Sequence, residues 1–148
     1  MATIHCEIVT VERLVYKDEV DSVTAPAVMG EIQILPDHAA LITALSPGEL
    51  IIEKAGESEH LAIGGGYLEV LANKVVVMAD TAEHSDEIDE ARAQAARERA
   101  ERMLRERPPT AEDYVAIEGA LRRSLVRLQV ARRRRRRRGV PSREEVNH

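Results

Sequence analysis

Three arginines in the second half of the chain have the residue type and spacing to bind an anion. Arg92 and Arg99 are seven residues apart, which places them nearly on one line along a helix. If the chain folds back at the proline pair that follows, Arg122 lies opposite Ala95, between the first two arginines. Three guanidinium groups brought so close repel one another unless an anion lies among them. From spacing alone the simpler interpretation is surface ion pairs on a highly charged helix, and an anion site is the sharper hypothesis.

A first helix must carry the two leading arginines. The spacing of apolar residues changes near residue 85 from a period of two to about 3.6, so a β region should meet a helical region there. Ser85 or Asp86 can cap the helix, and acids in its first turn favour the positive end of the helix dipole. We expect the helix to end near Glu106, because Pro108 and Pro109 cannot continue it.

A second helix must carry the third arginine. Thr110 followed by Asp113 resembles a capping box at its start, and Gly139 with Pro141 marks its end, after about 28 residues. The two helices should pack as an antiparallel hairpin, weakly held because alanine buries little area. The predicted contact stripes are Ile88, Ala91, Ala95, Met103 and Leu104 on the first helix and Tyr114, Ile117, Leu121, Leu125 and Leu128 on the second.

Short apolar runs separated by turn residues fill the first half of the chain. Turns, Pro47-Gly48 among them, recur about every 8–12 residues, which is typical of antiparallel β proteins. We predict about ten short strands in an antiparallel β-sandwich. With the helices, the fold class is α+β: a β-sandwich at 1–84, a two-helix antiparallel hairpin at 85–138 and a flexible tail at 139–148.

Three consecutive glycines, Gly64 to Gly66, raise the question of a phosphate-binding loop. A P-loop needs a following Lys-Ser or Lys-Thr to reach the phosphates, and Tyr67-Leu68 stands there instead. We therefore expect the glycines to permit a bulge or a close approach of two backbones.

Charge is divided unevenly between the two halves. Residues 1–84 contain 4 Lys and Arg against 14 Asp and Glu, whereas residues 85–148 contain 17 against 12, so the net charges are −10 and +5. A basic arm on an acidic body seeks an acidic surface, either protein or nucleic acid. Cys6 is the only cysteine and the histidines lack zinc-site spacing, so we expect neither a disulfide nor a metal site. The apolar runs are too short to cross a bilayer, which favours a soluble protein.

Three segments of the first half resemble the epsilon subunit of F-type ATP synthases. The stretch from Gly30 to Leu41, GEIQILPDHAAL, resembles that family's G-x-x-x-I-L-P-x-H-x-x-L segment. The stretch from Ala62 to Val70, AIGGGYLEV, resembles its G-G-aromatic-x-E-V strand, and residues 73–83 resemble its N-x-V-x-V-x-A-D-x-A-E close. Their order and spacing agree with the family over roughly residues 1–107.

The resemblance implies a non-catalytic rotor subunit of a proton-translocating ATP synthase. The β-sandwich would contact the gamma subunit and the ring of c subunits, with His38 as one contact residue. The carboxy-terminal helices would reach the alpha and beta subunits and inhibit ATP hydrolysis. The complex would hold the chain peripherally on the cytoplasmic face of the bacterial cell membrane, with no cofactor required.

The resemblance further implies a regulatory ATP site at the start of the helical half. Residues 88–93, IDEARA, match the I/L-D-x-x-R-A motif with which some bacterial epsilon subunits bind ATP, so Asp89, Arg92 and Ala93 carry over. The remaining ATP contacts of those relatives fall on Glu83, Arg99 and Arg122. Such relatives have another basic residue four positions after the last of these, where Val126 stands, and Arg123 or Arg127 can substitute.

Seven consecutive arginines, Arg132 to Arg138, extend the basic half beyond the family pattern. By resemblance, the basic helix faces an acidic loop of the beta subunits. The alternative is a β-sandwich adaptor whose arm binds nucleic acid or another polyanion. The acidic body and the absence of an aromatic stacking platform argue against nucleic acid. The expected partner contacts on this helix are Arg123, Arg127, Arg132 and Arg133.

Overall fold

Eight strands and two long helices make up most of the residues that the structure describes. The structure is a computed structural model, and it describes residues 2–106 and 110–137. The chain divides into two compact units, one ending at His84 and the other beginning at Ser85. The proline pair at 108 and 109 and the tail predicted at 139–148 lie outside the described residues.

The first unit is a β-sheet of eight strands folded over one core. The strand order is β2-β1-β7-β6-β5-β3-β4, and β8 pairs with β6. The ladder between β1 and β7 is parallel and the other ladders are antiparallel. The predicted α+β class, a β-sandwich followed by two helices, is confirmed. The strands are β1 Ile4–Val9, β2 Leu14–Val20, β3 Ser22–Ala27, β4 Gly30–Ile34, β5 Leu41–Lys54, β6 Glu57–Leu71, β7 Lys74–Ala79 and β8 Ala82–His84.

The described residues form eight strands rather than about ten, because the strand continues at two places where it was expected to be interrupted. β5 continues through Pro47-Gly48, and β6 continues through its three glycines. The two interruptions lie opposite each other in the ladder, where Pro47 pairs with Gly64. Both strands can therefore change direction at the same level without losing their pairing. The prediction of a turn at Pro47-Gly48 was wrong, since a local signal for a turn was overruled by the facing strand.

An aliphatic core fills the sheet, since only 2% of the chain is aromatic. One face of each strand supplies it, and its largest fully buried side chains include Ile4, Ile8, Leu50 and Leu68. Cys6 lies in the same core, and burial raises the pKa of its thiol to about 12. The thiol is therefore neutral and shielded, and it packs as a small hydrophobic side chain.

The second unit contains a short 3₁₀ turn and two helices. The turn is Ser85–Glu87, α1 is Glu90–Arg105 and α2 is Ala111–Arg137. The predicted cap at Ser85 or Asp86 was wrong, because those residues form the turn. Asp89 caps α1 instead: its Oδ1 accepts a hydrogen bond from the Arg92 backbone N–H at 3.1 Å.

The predicted start of α2 is confirmed. The Thr110 hydroxyl accepts a hydrogen bond from the Asp113 backbone N–H at 3.0 Å and donates one to the Asp113 carboxylate at 2.8 Å. These bonds satisfy an amide that the first turn of a helix otherwise leaves without a partner. At 27 residues α2 is close to its predicted length.

The three glycines of β6 lead to a test of the sheet. At Gly66 φ is +131°, and a Cβ would lie 2.2 Å from the Met78 carbonyl oxygen on β7. At Gly30 φ is +124°, but a Cβ would meet nothing within 4 Å. We expect Gly66→Ala to lower the free energy of unfolding by about 3 kcal/mol or more and Gly30→Ala by about 1 kcal/mol. Urea unfolding followed by circular dichroism measures both, and equal losses would show that the approach of β6 to β7 is not what requires glycine.

Candidate anion site on the helical hairpin

The two helices pack against each other in antiparallel directions. Nε of Arg132, near the end of α2, lies 3.7 Å from Oε1 of Glu90, the first residue of α1. This ion pair indicates the register of the hairpin, and residues equally far from it along each helix are expected at about the same level. The predicted antiparallel hairpin is confirmed.

Small side chains form the contact between the helices. Ala93 and Ala100 are the buried positions of α1, two helical turns apart. On α2, Ser124, Leu128 and Ala131 are buried at helical spacing. The Ser124 hydroxyl donates a hydrogen bond to the Ala120 carbonyl oxygen at 3.0 Å, so its burial leaves no unpaired hydroxyl. This line of small side chains is called the seam below.

The predicted contact stripes are partly wrong. Ile88 is buried and Leu104 half-buried on the first helix, but Ala91, Ala95 and Met103 are exposed. On α2, Leu128 is buried and Ile117 and Leu121 are half-buried, whereas Tyr114 and Leu125 are exposed. Alanine occurs all round α1, so the sequence does not show which alanines face inward. Apart from Leu128, the seam residues have small side chains, alanine or serine.

The residues of the predicted ATP motif have different surroundings. The Asp89 side chain caps α1, and the Asp89 carbonyl oxygen accepts the Ala93 backbone N–H at 3.0 Å. The Ala93 side chain is fully buried in the seam, whereas Arg92 is exposed. Asp89 and Ala93 therefore set where the helix begins and how it packs, and Arg92 is the member that can meet a ligand.

The exposed arginines of α1 share one side of that helix. Arg92 directly precedes Ala93, and Arg99 directly precedes Ala100. Each therefore lies about 100° round the helix from a seam residue, in the same sense. Both are exposed, so they form one cationic flank beside the seam.

On α2 the arginines that lie beside the seam do not include Arg122, which the sequence predicted. Arg123 directly precedes Ser124 and Arg127 directly precedes Leu128, so both lie beside the seam. In an antiparallel pair, positions that precede the seam residues of either helix lie on the same flank of the hairpin. Arg122 is two residues before Ser124, about 200° round the helix, on the side facing away from α1.

The register places these arginines at matching levels. Counted from the Glu90–Arg132 pair, Arg99 is level with Arg123, nine residues along each helix. By the same count Arg127 is level with Ala95, between Arg92 and Arg99. By this count Ala95 is level with Arg127 rather than with Arg122, the partner predicted from the sequence. The cationic flank is defined below as Arg92, Arg99, Arg123 and Arg127.

The remaining predicted site residues lie elsewhere. Glu83 is in β8, where it pairs with Ala62 of β6. Arg132 is engaged with Glu90, and Arg133, the next residue of α2, is exposed.

The turn that carries His38 is held by a residue that the sequence did not single out. The Asp37 backbone N–H donates to the Asn73 side-chain oxygen at 2.9 Å, and the Asn73 amide donates to the Thr3 carbonyl oxygen at 2.9 Å. His38 Nδ1 lies 2.7 Å from the Ala39 carbonyl oxygen. Asn73 thus fixes the turn from the tight link between β6 and β7. The φ of Asn73 is +57°, a conformation that asparagine adopts more readily than most residues. The asparagine itself was therefore the one local signal in the sequence for this link.

An exposed apolar group crosses the outer face of the sheet. Tyr67 of β6 pairs with Met78 of β7, and Ile42 of β5 lies diagonally beside Tyr67. Ile42 is 73% exposed, Tyr67 58% and Met78 44%. Contiguous apolar side chains of this size on a sheet surface are typical of a protein contact. These three residues are called the apolar row below.

Two absences concern the part of the chain that the structure describes. Within the described ranges, no group of three or more His, Cys, Asp or Glu is placed to hold a metal ion. No helix in the described part of the chain is both long and apolar enough to span a bilayer.

Two family models match consecutive parts of the chain. Residues 3–85 match the model described as "ATP synthase, Delta/Epsilon chain, beta-sandwich domain". Residues 86–132 match the model described as "ATP synthase, Delta/Epsilon chain, long alpha-helix domain". The chain belongs to the ATP synthase delta/epsilon family. The resemblance seen in the sequence is thereby confirmed.

Curated relatives of this family match over nearly their whole length. An ATP synthase epsilon chain of Herpetosiphon aurantiacus is 55% identical over 134 residues, which cover 90% of this chain and 98% of that relative. An ATP synthase epsilon chain of Geobacter sulfurreducens is 46% identical over 125 residues, covering 84% and 91%.

A solved structure shares the fold. A chain in the cryo-EM structure of the Euglena gracilis mitochondrial ATP synthase matches with a TM-score of 0.71 at 24% identity, covering 82% of this chain and 77% of that one.

The seam can be tested with two alanines of α1 that the sequence ranks differently. Ala100 is buried in the seam, whereas Ala95 is exposed although the sequence predicted it to face α2. We expect Ala100→Leu to destabilise the hairpin by about 1–3 kcal/mol through overpacking and Ala95→Leu to change it by less than about 0.5 kcal/mol. Hydrogen exchange of the α1 amides in the intact chain measures both. A larger loss from Ala95→Leu would mean that α1 is rotated from the orientation described.

Proposed function

We propose that this chain is a non-catalytic central-stalk subunit of a proton-translocating F-type ATP synthase. The observation that carries the proposal is the match of residues 3–85 and 86–132 to the two consecutive parts of one family. The 55% identity to an epsilon chain over 98% of that relative supports the same role. A polyanion-binding adaptor finds no support among these relatives. In the complex, the chain sits peripherally on the cytoplasmic face of the bacterial cell membrane.

The β-sandwich is the docking unit in this proposal. The apolar row offers a flat contact of the kind that a stable partner covers, and we assign it to the gamma subunit. Met29, 94% exposed in the turn between β3 and β4, and His38 in the turn fixed by Asn73 are the contacts that we assign to the c-ring and the rotor. A rigid sheet suits this role because it transmits torque without deforming.

The helical hairpin is the regulatory unit. Apart from Leu128 its seam consists of alanine and serine, which bury little apolar area at about 25 cal/mol per Å², so opening the hairpin costs little free energy. Released from α1, α2 can extend for about 40 Å at 1.5 Å per residue. Extended in this way, its arginines reach acidic surfaces of the alpha and beta subunits and inhibit ATP hydrolysis.

The cationic flank is the proposed ATP site. The flank brings four guanidinium groups to one side of the hairpin, where a triphosphate can accept charge-assisted hydrogen bonds from them. Because the flank takes two arginines from each helix, ATP binds the closed hairpin better than the open one. A ligand with that preference shifts the population toward the closed form and so relieves inhibition.

Truncation tests the regulatory role. A chain ending at Arg107 keeps the whole β-sandwich, so we expect assembly and rotor coupling to persist while ATP hydrolysis by the reconstituted enzyme rises several-fold. Hydrolysis and ATP-driven proton pumping, measured on the same vesicles, separate the two effects. If the truncated chain fails to assemble, the helices are structural and the inhibitory role is lost.

Single substitutions of arginines on both helices test the ATP site. Arg92→Ala, Arg123→Ala and Arg127→Ala each remove a charge-assisted contact, so we expect ATP affinity to fall about tenfold or more. Arg122→Ala is the matched control, because it removes the same charge from the far side of α2. Calorimetric titration of ATP into the isolated chain, with and without magnesium, reports the affinities.

Three results are informative in that titration. Losses confined to the first three variants support the flank. A loss from Arg122→Ala as large as that from Arg123→Ala contradicts the register. Unchanged affinity in all four variants removes the ATP assignment.

A further inference from the structure

His5 of β1 lies between two carboxylates on the face of the sheet opposite the core. Its Nδ1 is 2.8 Å from Oε1 of Glu19 on β2, and its Nε2 is 3.0 Å from Oε1 of Glu7 on β1. An ionised carboxylate only accepts hydrogen bonds, so both ring nitrogens have to donate. A neutral imidazole carries one N–H, whereas an imidazolium carries two. The geometry therefore fits a positively charged His5, and these three residues are called the His5 cluster below.

Two lysines share one of the carboxylates with His5. Nζ of Lys74 on β7 is 3.5 Å from Oε2 of Glu7, and Nζ of Lys17 on β2 is 4.0 Å from Oε1 of Glu7. If His5 loses its proton, Glu7 therefore keeps both lysines beside it. The contact between His5 and Glu7 also joins residues of a single strand, so its loss does not separate two strands.

The other carboxylate depends on His5 more strongly. Oε2 of Glu19 accepts a hydrogen bond from Thr3 Oγ1 at 3.3 Å, and its Oε1 contacts His5. The neighbouring Asp18 is paired with Lys54 of β5, so that lysine is engaged elsewhere. Glu19 and His5 face each other across the ladder between β1 and β2. Deprotonation of His5 thus weakens the end of this ladder at which β1 begins.

The same end of β1 supports the turn that carries His38. The His5 backbone N–H donates to the Asn73 carbonyl oxygen at 3.2 Å, and the Asn73 side-chain amide donates to the Thr3 carbonyl oxygen at 2.9 Å. The Asn73 side-chain oxygen accepts the Asp37 backbone N–H at 2.9 Å. Asn73 therefore links the start of β1 directly to the turn, and a looser strand end leaves Asn73 less firmly placed.

We propose that the His5 cluster is a pH-sensitive clamp, whose charged form fastens the start of β1 to β2 and whose neutral form loosens the turn of His38. When His5 loses its proton, one N–H disappears and a ring lone pair then faces a carboxylate oxygen. That contact changes from attractive to repulsive. The clamp itself does not rest on the proposed function. Its consequence does, and that consequence is a rotor contact through His38 that weakens as the pH rises.

The charges around His5 set the pH range in which the clamp works. The hydrogen bonds to Glu7 and then to Glu19 raise the pKa of His5 above its ordinary value of 6.5, and the pKa of Glu7 is lowered mainly by its bond to His5. The contribution of His5 to stability is therefore complete below pH 6.5 and is lost as the pH rises through the raised pKa. The side chains of His5 and Glu19 are 26% and 57% exposed, so salt screens the contact and the effect is modest.

The isolated full-length chain tests the clamp without the ATP synthase. NMR titration of the imidazole signals gives the pKa of His5, and the hydrogen-exchange protection factor of the Asp37 amide at each pH reports the turn. His5→Gln keeps a hydrogen-bond donor but has no titrating charge, and Glu19→Gln removes the charged partner on β2. The matched control for Glu19→Gln is Glu12→Gln, which removes the same charge from an exposed position in the turn between β1 and β2.

We expect the pKa of His5 to lie above 6.5 in the parent and in Glu12→Gln and to fall toward 6.5 in Glu19→Gln. Between about pH 6 and about pH 8.5, the protection factor of the Asp37 amide should fall about fivefold in the parent. In His5→Gln it should already be low at the acidic end and change less than about twofold, because only other groups then titrate.

The same fall in Asp37 protection in the parent and in His5→Gln would overturn the clamp, as would a His5 that titrates at 6.5 or below in the parent. Neither result bears on the stalk function, which truncation in the reconstituted enzyme tests separately. Unchanged hydrolysis on truncation would instead remove the inhibitory role and leave the clamp standing.

Discussion

The contact between α1 and α2 is the interaction on which the regulatory half of this protein depends. Among the buried positions described on the two helices, Ala93, Ala100, Ser124 and Ala131 carry small side chains, and Leu128 and Val130 carry larger ones. Small side chains bury little apolar area, which keeps the free energy of closure small.

Charged side chains add to this weak apolar contact between the helices. The seam directs four arginines to one flank, and the Glu90–Arg132 pair sets their levels. Because the arginines come from both helices, any anion that binds the flank favours the closed state.

The β-sandwich, in contrast to the hairpin, is held together by a large buried core. Its core is aliphatic and fully buried, and its two longest strands run through the positions that look like breaks in the sequence. Gly66 admits the carbonyl of Met78, and Asn73 joins the amino terminus to the turn of His38. One half of the chain is thus fixed by many mutually supporting contacts and the other half by few. The proposed docking unit and the proposed switch require that difference.

The sequence by itself determined the fold class, the change from β to α near residue 85, the cap at Thr110 and the aliphatic core. These features depend on local periods, on residues such as proline and glycine and on composition, all of which are properties of neighbouring residues. The family followed from motifs whose order and spacing can be read along the chain.

Only the tertiary structure decided which alanines face inward, which arginines share a flank and why Pro47 does not end a strand. Alanine occurs on every side of α1, so its inner face is chosen by the helix that packs against it. Arg122 and Arg123 are adjacent in sequence, yet about 100° of helical rotation and the register of the hairpin place only Arg123 beside the seam. Pro47 stays in β5 because that strand remains paired with β6 there, opposite Gly64. These outcomes depend on contacts between residues far apart in the chain, and a local pattern does not contain them.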